Sequence, residues 1–138
     1  MRVAFGSDDE NETTRAVLQA LVEAGHEVVR PDGCASWPDL GKFVGRAVVE
    51  GRADYGVVMC WTGTGTAIAA NKVPGVRAAL AWDPWIARGA RLWNDANVLA
   101  MSLKRLAPDV AVEVLQAFLT TPAPDPDEAM NIAQLDRP

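Results

Sequence analysis

Hydrophobic and polar positions follow two kinds of pattern along the chain, short apolar runs and helical periodicity. Short, mostly apolar runs occupy residues 2–6, 27–30, 56–60, 76–81 and 97–101, and apolar side chains recur at helical spacing in the segments between most of them. Runs of the first kind predict buried strands, and spacing of the second kind predicts amphipathic helices. Because strands alternate with helices, we expect βαβ units and therefore one Rossmann-like, three-layer α/β/α domain with a five-stranded parallel sheet.

Glycine and proline mark the predicted boundaries of these elements. Gly25 and Gly51 follow helical segments, where a left-handed residue commonly ends a helix. The segment 31–38 holds two prolines and a glycine, so we expect irregular structure there and a helix from Asp39 onward. A Pro-rich connection at 121–126 leads to a short helical segment that ends at Leu135. We therefore divide the chain into a Rossmann-like domain, residues 1–121, and a C-terminal helical extension, residues 122–138, which the stiff connection directs onto a neighbouring subunit.

Composition narrows the class of protein. The 138 residues carry a net charge of −5 and are 49% hydrophobic, as in an ordinary globular domain. The sequence has no basic stripe with interleaved aromatic residues, so we expect no nucleic-acid partner. The apolar run at residues 2–6 is too short for a signal sequence or a membrane span, so we expect a cytoplasmic protein that does not bind membranes.

Two cysteines, Cys34 and Cys60, and one histidine, His26, limit the metal and redox chemistry of the chain. Two thiols are too few for the disulfide framework of a small secreted domain, and no paired Cys or His spacing indicates a zinc site, so we expect no metal. A single disulfide between the two cysteines is one alternative, and reduced thiols are the alternative that we favour. His26 stands between a predicted helix and a predicted strand, where we expect a structural residue near a helix C-terminus.

The stretch from Gly56 to Lys72 carries the candidate chemistry. Its apolar run ends at Cys60, passes through a Thr-Gly-Thr-Gly loop at 62–65 and enters a helical segment of small residues. The first N–H groups of a helix lack intrahelical partners and lie at the positive end of the helix dipole, so this loop suits an anion or developing negative charge. From the residues alone, Cys60 is either a buried core thiol or a catalytic thiolate.

Ligands of parallel sheets bind outside the carboxyl ends of the strands. We therefore group three sets of residues into one predicted site: the pair Asp8–Asp9, the loop after Cys60, and the loops that hold Trp82–Asp83 and Trp93–Asp95. The aromatic rings of Trp61 and Trp93 stand on these loops and offer faces for sugar C–H groups.

Nearly the whole chain resembles the family of ribose-5-phosphate isomerase B and galactose-6-phosphate isomerase. The matching stretches are Gly-Ser-Asp at 6–8, Trp-Pro-Asp at 37–39, the segment 60–72, Val-Pro-Gly-Val-Arg-Ala-Ala at 73–79 and Asn-Asp-Ala-Asn-Val-Leu at 94–99. The resemblance implies an intramolecular oxidoreductase, an aldose–ketose isomerase that acts on a small sugar or sugar phosphate through a cis-enediolate, with no metal or organic cofactor. It also implies a homodimer or a dimer of dimers.

The resemblance assigns roles to individual residues. Cys60 matches the base of the family, Thr62 the hydroxyl beside it, and Asp8 and Asn94 the side chains that hold sugar hydroxyls. The backbone amides of residues 61–65 line the expected anion hole. The other expected substrate contacts are Asp9, Trp61, Gly63, Thr64, Gly65, Trp93 and Lys104.

The chain departs from the family where phosphate is gripped and where the sugar ring is opened. Asp9 and Trp93 stand in place of two histidines, Lys104 in place of one arginine, and residues 127 and 131, an aspartate and an asparagine, in place of two more. Carboxylates repel phosphate, so we do not expect the usual phosphate pocket. The cations left to supply charge are Lys104 with Arg105, or Arg88 with Arg91.

Two functions therefore stay open. The first is a cofactor-free isomerase with altered phosphate and ring-opening residues, and the second is a non-catalytic sugar-binding or companion subunit of the same family. A cysteine-dependent transferase or hydrolase is disfavoured because no histidine stands beside Cys60 in the sequence to activate it.

Overall fold

A computed structural model describes residues 1–33 and 36–137 and confirms the predicted parallel α/β fold. The strands are β1 (Arg2–Ser7), β2 (Glu27–Val29), β3 (Tyr55–Cys60), β4 (Ala78–Leu80) and β5 (Val98–Ser102). They pair in the order β2-β1-β3-β5-β4, and every pair is parallel. The α-helices are α1 (Glu12–Glu23), α2 (Trp37–Val49), α3 (Thr64–Asn71), α4 (Pro84–Asn94), α5 (Pro108–Leu119) and α6 (Ala129–Ile132). In the part of the chain so described, no helix has the length and apolar character needed to cross a bilayer.

Side chains of the central strands alternate between the two faces of the sheet, because successive residues of a strand point to opposite sides. On β3, Val57 and Met59 join the core under α1, α4 and α5, whereas Val58 joins the core under α2 and α3. All three are completely buried, and full burial of such a side chain contributes about 1.5–3 kcal/mol. Apolar residues on both faces of the sheet therefore account for the two helical layers.

Helices α1, α2 and α4 follow residues whose side chains cap them. Asn11, Ser36 and Asp83 accept hydrogen bonds from backbone N–H groups in the first turns of α1, α2 and α4. The prediction of an irregular segment through residue 38 is wrong at its end, because α2 begins at Trp37. Pro38 starts the helix instead of preventing it, since the first turn of a helix needs no N–H donor from that position.

The chain after residue 122 folds back along its own α4. The Asp125 N–H donates to the Leu92 carbonyl at 2.8 Å, and the Asp136 carboxylate lies 3.4 Å from the Arg77 guanidinium. A 3-10 turn (Pro126–Glu128) and α6 form the helical extension. These contacts within one chain were not predicted, and packing of the extension on a neighbouring subunit stays a prediction.

Candidate active site

The strand order reverses between β1 and β3, and a parallel sheet opens a ligand crevice at its carboxyl edge where such a reversal occurs. The helix after β1 covers one face of the sheet, and the helix after β3 covers the other. Asp8 follows β1, and its N–H donates at 3.2 Å to the carbonyl of Met59, one residue before the end of β3. A cavity of about 300 Å³ lies here, lined by Asp8, Trp37, Cys60, Trp61, Thr62, Thr64 and Gly65.

Hydrogen bonds hold Cys60 in place at this cavity. Its carbonyl accepts the Leu103 N–H at 2.9 Å and the Gly63 N–H at 3.2 Å, so the loop turns sharply back onto the end of β3. The residue is 6% exposed, and the Thr66 hydroxyl lies 3.4 Å from its sulfur. Cys60 carries a free thiol, whereas Cys34, the other half of the disulfide left open above, lies outside the described residues.

Burial and hydrogen bonding act on the Cys60 thiol in opposite directions. Desolvation by burial is the largest single influence and raises the pKa of the thiol, as does the negative charge of Asp8. Hydrogen bonds from the Thr66 hydroxyl and from the N–H groups of Thr66 and Gly63 stabilise the thiolate, and together they outweigh the opposing influences. The pKa of Cys60 therefore lies below that of an ordinary cysteine, which favours a thiolate base.

Gly63 determines the path of the loop between Cys60 and α3. Its φ is +78°, in the left-handed region, and a Cβ at this position would lie 2.6 Å from Leu80 Cδ1 and 2.8 Å from the carbonyl carbon of Met101. A side chain would therefore collide with the backbone of β5. The carbonyl of Gly63 accepts the Ala67 N–H at 3.2 Å, so the same residue begins α3.

The two threonines of the loop face solvent and contact each other. The Thr62 and Thr64 hydroxyl oxygens lie 2.7 Å apart, and the Thr64 N–H is 3.4 Å from the Thr62 hydroxyl. Gly63, the N-cap of α3, offers no side chain to cap the helix, and of the first amides that of Thr64 meets the Thr62 hydroxyl and that of Thr66 meets the Cys60 sulfur. These amides belong to the loop that lines the Cys60 cavity.

Trp61 and Lys104 stack on each other beside the cavity. The Lys104 ammonium lies 4.4 Å from the centre of the Trp61 ring, a cation–π contact. The Lys104 N–H and the Ser102 hydroxyl both donate to the Trp61 carbonyl, at 3.2 and 2.6 Å. The structure therefore brings together two of the predicted substrate contacts, Trp61 and Lys104. The Trp61 side chain stays largely open to solvent, since the residue is 57% exposed.

A second cavity, of about 290 Å³, adjoins the first at Asp8 and is rich in carboxylates. Asp8, Asp9 and Glu10 line it together with Arg30, whose guanidinium pairs with Glu10 at 3.1 Å. Burial, and then the neighbouring charge of Asp9, raise the pKa of Asp8. This cavity therefore favours groups that donate hydrogen bonds and disfavours a phosphate dianion.

Trp93 and Asn94 do not lie with Cys60 in one chain, and the expectation that the 93–95 segment stands at the carboxyl edge is wrong. α4 begins after β4 at that edge, and its 11 residues, about 16 Å in length, return the chain to the amino edge before β5. There Asn94 lines a cavity of about 410 Å³ with Arg77, and Trp93 packs on Trp85 with ring centres 5.4 Å apart. A site that joins Asn94 to Cys60 requires a second chain.

Arg91 does not supply charge to a ligand, so the expectation for this residue is also wrong. It is 3% exposed, and its guanidinium donates to the Asp95 carboxylate at 2.8 Å and to the Tyr55 hydroxyl at 2.9 Å. Asp95 has a left-handed φ of +46° at the end of α4, and this ion pair holds it there. Arg88 and Arg105 are exposed.

His26 follows the end of α1, as predicted, and its Nδ1 lies 3.5 Å from the N-terminal amine. Burial, and then the charge of that amine, lower the pKa of His26. Among residues 1–33 and 36–137, no three side chains of His, Cys, Asp or Glu come together in an arrangement that could hold a metal ion.

The fold and the site define a parallel α/β protein in which a strand-end thiol and an amide loop share one cavity at the carboxyl edge of the sheet. A family model for ribose/galactose isomerases matches residues 3–135. The chain is 35% identical over 123 residues to ribose-5-phosphate isomerase B of Escherichia coli strain K12, covering 86% of this chain and 83% of the relative. It is 37% identical over 83 residues to D-erythrulose-4-phosphate isomerase of Pectobacterium atrosepticum, covering 60% and 55%. The structure of ribose-5-phosphate isomerase B of Clostridium thermocellum aligns with a TM-score of 0.90 and 33% identity, covering 99% of this chain and 95% of the other. The chain therefore belongs to the ribose/galactose isomerase family of sugar-phosphate isomerases.

Proposed function

We propose that the protein is a cofactor-free aldose–ketose isomerase of a small sugar or sugar phosphate, with Cys60 as its base. The observation that carries this proposal is the Cys60 thiol, which lines a ligand-sized cavity and receives hydrogen bonds that favour its thiolate. Relatives are named for ribose 5-phosphate and D-erythrulose 4-phosphate. Both sugars carry a hydroxyl next to a carbonyl, which isomerisation requires.

The proposed reaction moves one proton between neighbouring carbons. The Cys60 thiolate takes the proton from the carbon beside the carbonyl, and N–H groups of residues 61–65 hold the negative oxygen of the cis-enediolate. The hydroxyl next to the carbonyl gives its proton to the oxygen that began as the carbonyl, and the Thr62 hydroxyl, 2.7 Å from Thr64, hydrogen-bonds these oxygens during the transfer. The Cys60 thiol then returns its proton to the other carbon, so the protein ends the cycle unchanged.

The charges around the cavity orient the substrate in this proposal. We assign substrate hydroxyls to Asp8 and Asp9, since carboxylates accept O–H hydrogen bonds and repel phosphate. A phosphate, where the substrate carries one, lies on the side of Lys104 and Trp61. The substrate therefore lies across the Cys60 cavity with its hydroxyls toward β1.

A second copy of the chain completes the proposed site. Trp93 and Asn94 lie at the amino edge of the sheet, so they reach a Cys60 cavity only in a partner chain. In a two-fold dimer both sites receive these residues at once. Cys60→Ala and Asn94→Ala proteins should each be inactive, but after subunit exchange their mixture should regain about a quarter of the wild-type activity. The fraction is a quarter because half of the dimers are mixed and one of their two sites is intact. No recovery on mixing would contradict the shared site.

NMR in deuterated water tests the reaction itself on a panel of phosphorylated and unphosphorylated aldoses and ketoses. We expect deuterium at the carbon next to the carbonyl of one or more of these sugars, and we expect Cys60→Ala to abolish exchange and turnover. Cys34→Ala changes the other cysteine and is the matched control, which should keep both activities. Full turnover in Cys60→Ala would refute the assignment of the base.

A non-catalytic sugar-binding or companion subunit is the second candidate, and the carboxylates beside the thiol favour it. Asp8, Asp9 and Glu10 line the adjoining cavity, where the Arg30 charge is already paired. This candidate predicts no exchange with any sugar of the panel and a stable complex with a catalytic member of the family, measured by size-exclusion chromatography of the mixed proteins.

A further inference from the structure

Thr66 was not among the predicted site residues, yet its hydroxyl contacts the Cys60 sulfur. Thr66 is the third residue of α3 and is completely buried. Its Oγ1 lies 3.4 Å from Cys60 Sγ and 3.3 Å from the Gly63 carbonyl oxygen. A hydroxyl carries one hydrogen, so Thr66 donates to only one of these two acceptors at a time.

The protonation state of Cys60 decides which acceptor receives this hydrogen. A thiolate is a charged acceptor, and charge-assisted hydrogen bonds are roughly twice as strong as neutral ones. A neutral thiol is a poor acceptor but carries a hydrogen of its own, which the Thr66 oxygen accepts through a lone pair. The Thr66 hydroxyl then donates its hydrogen bond to the Gly63 carbonyl, which also accepts the Ala67 N–H at 3.2 Å.

We propose that Thr66 is a positioning residue for Cys60, and that its hydroxyl hydrogen turns between the sulfur and the Gly63 carbonyl with each proton transfer. The inference rests on the proposed function of Cys60 as the base. When the thiolate takes a proton, an S–H bond forms, a C–H bond of the substrate breaks, and the electron pair of that bond enters the enediolate. The Thr66 hydrogen then turns to Gly63, and it turns back when the thiol returns its proton.

This arrangement lets a buried site follow a change of charge without moving its backbone. Only one hydrogen changes direction, while Thr66 Oγ1 and the helix that carries it stay in place. Besides Cys60, Asp8 is the only titratable side chain among the described residues that line the cavity, and its charge opposes the thiolate. Lys104 lies outside that lining, on Trp61. The Thr66 hydroxyl is therefore the side chain that offsets Asp8.

Thr66→Val removes the hydroxyl but keeps the branched shape and the backbone amide, and Thr66→Ser keeps the hydroxyl. Both variants are made with Cys34→Ser, so that alkylation by iodoacetamide reports Cys60 alone as pH is varied. In Thr66→Val we expect the midpoint of alkylation and the acidic limb of kcat/KM to move to higher pH by about one to two units. Activity should recover above the shifted midpoint, and Thr66→Ser should restore both profiles.

Thr13→Val is the structural control, because it removes another buried threonine hydroxyl, which donates to the Leu106 carbonyl at 3.0 Å. It should lower the melting temperature without moving either pH profile. An unshifted alkylation profile in Thr66→Val, or an activity loss that no pH restores, would overturn the role of Thr66. A shifted alkylation profile in a protein whose parent shows no isomerase activity would support the contact and overturn the proposed function instead.

Discussion

Gly63→Ala tests whether contact between backbones fixes the loop of the candidate site. A Cβ at Gly63 would lie 2.8 Å from the carbonyl carbon and 2.9 Å from the carbonyl oxygen of Met101, at a φ of +78°. Gly25 has nearly the same φ, +76°, and none of the described atoms lies within 4 Å of a Cβ built there. The pair of variants therefore separates the conformational cost of a left-handed alanine from the steric cost at β5.

The two costs differ enough to be measured. A left-handed alanine costs about 1–2 kcal/mol, and the reduced freedom of the unfolded chain offsets part of this in both variants. Overpacking against rigid backbone adds about 1–3 kcal/mol at Gly63 alone. We therefore expect Gly25→Ala to lower the free energy of unfolding by about 1 kcal/mol and Gly63→Ala by about 2–4 kcal/mol. For a domain of this size the difference lowers Tm by about 3–10 °C.

Urea and thermal unfolding, followed by circular dichroism at one protein concentration, measure this difference. Gly63→Ala should also slow the alkylation of Cys60, because a displaced loop withdraws the amide donors that favour the thiolate. Gly25→Ala should leave alkylation unchanged, since it lies after α1, away from the loop. Equal stability of the two variants would refute the argument that Met101 fixes the loop.

Arg91→Met should lower the free energy of unfolding by about 2–4 kcal/mol, because it removes a buried partner of Asp95. The control Arg88→Met, at an exposed residue, should change it by less than about 0.5 kcal/mol. Equal effects of the two variants in urea titrations would contradict the role of this ion pair. The kcat/KM should rise with pH through the lowered pKa of Cys60, because the deprotonated thiol is the base. A rise that begins only near the pKa of a free cysteine would contradict the hydrogen bonding of the thiolate described above. Lys104→Met should raise the KM of a phosphorylated substrate about tenfold and leave the KM of its unphosphorylated analogue unchanged, as measured by steady-state kinetics. An equal change in KM for the two substrates would show that Lys104 does not face the phosphate.

The strand, loop and helix around Cys60 could be predicted from the sequence because their signals are local. The apolar run at 56–60 predicts a strand, and the strand ends at Cys60; the glycines at 63 and 65 predict a turn, and α3 begins at Thr64. The alternation of such units predicts a parallel sheet, since helices between the strands cover the apolar residues on both faces of the sheet. Local pattern and global fold agree in this region.

Residues whose role depends on distance through space could not be predicted in the same way. Asn94 is close to β5 in sequence, but the length of α4 places it at the edge opposite Cys60. Arg91 shares its helix with the exposed Arg88 and was expected at the surface, yet the C-terminal turn of α4 buries it against Tyr55. Thr66 reads as an ordinary residue of a helix; the signal available was its place in the first turn, where side chains reach back toward the preceding loop.

The candidate site combines parts that tolerate substitution with parts that do not, and this has an evolutionary consequence. Gly63 is held against the backbone of β5, and Thr66 is buried, so a change at either one alters the donors to the thiol. Asp9, Trp61 and Lys104 are exposed, and each can be replaced without repacking the core. We therefore expect selection to alter substrate preference through single surface substitutions while the proton-transfer chemistry is inherited unchanged. Orthologues of this chain should then diverge first around the mouth of the cavity and last beneath the sulfur.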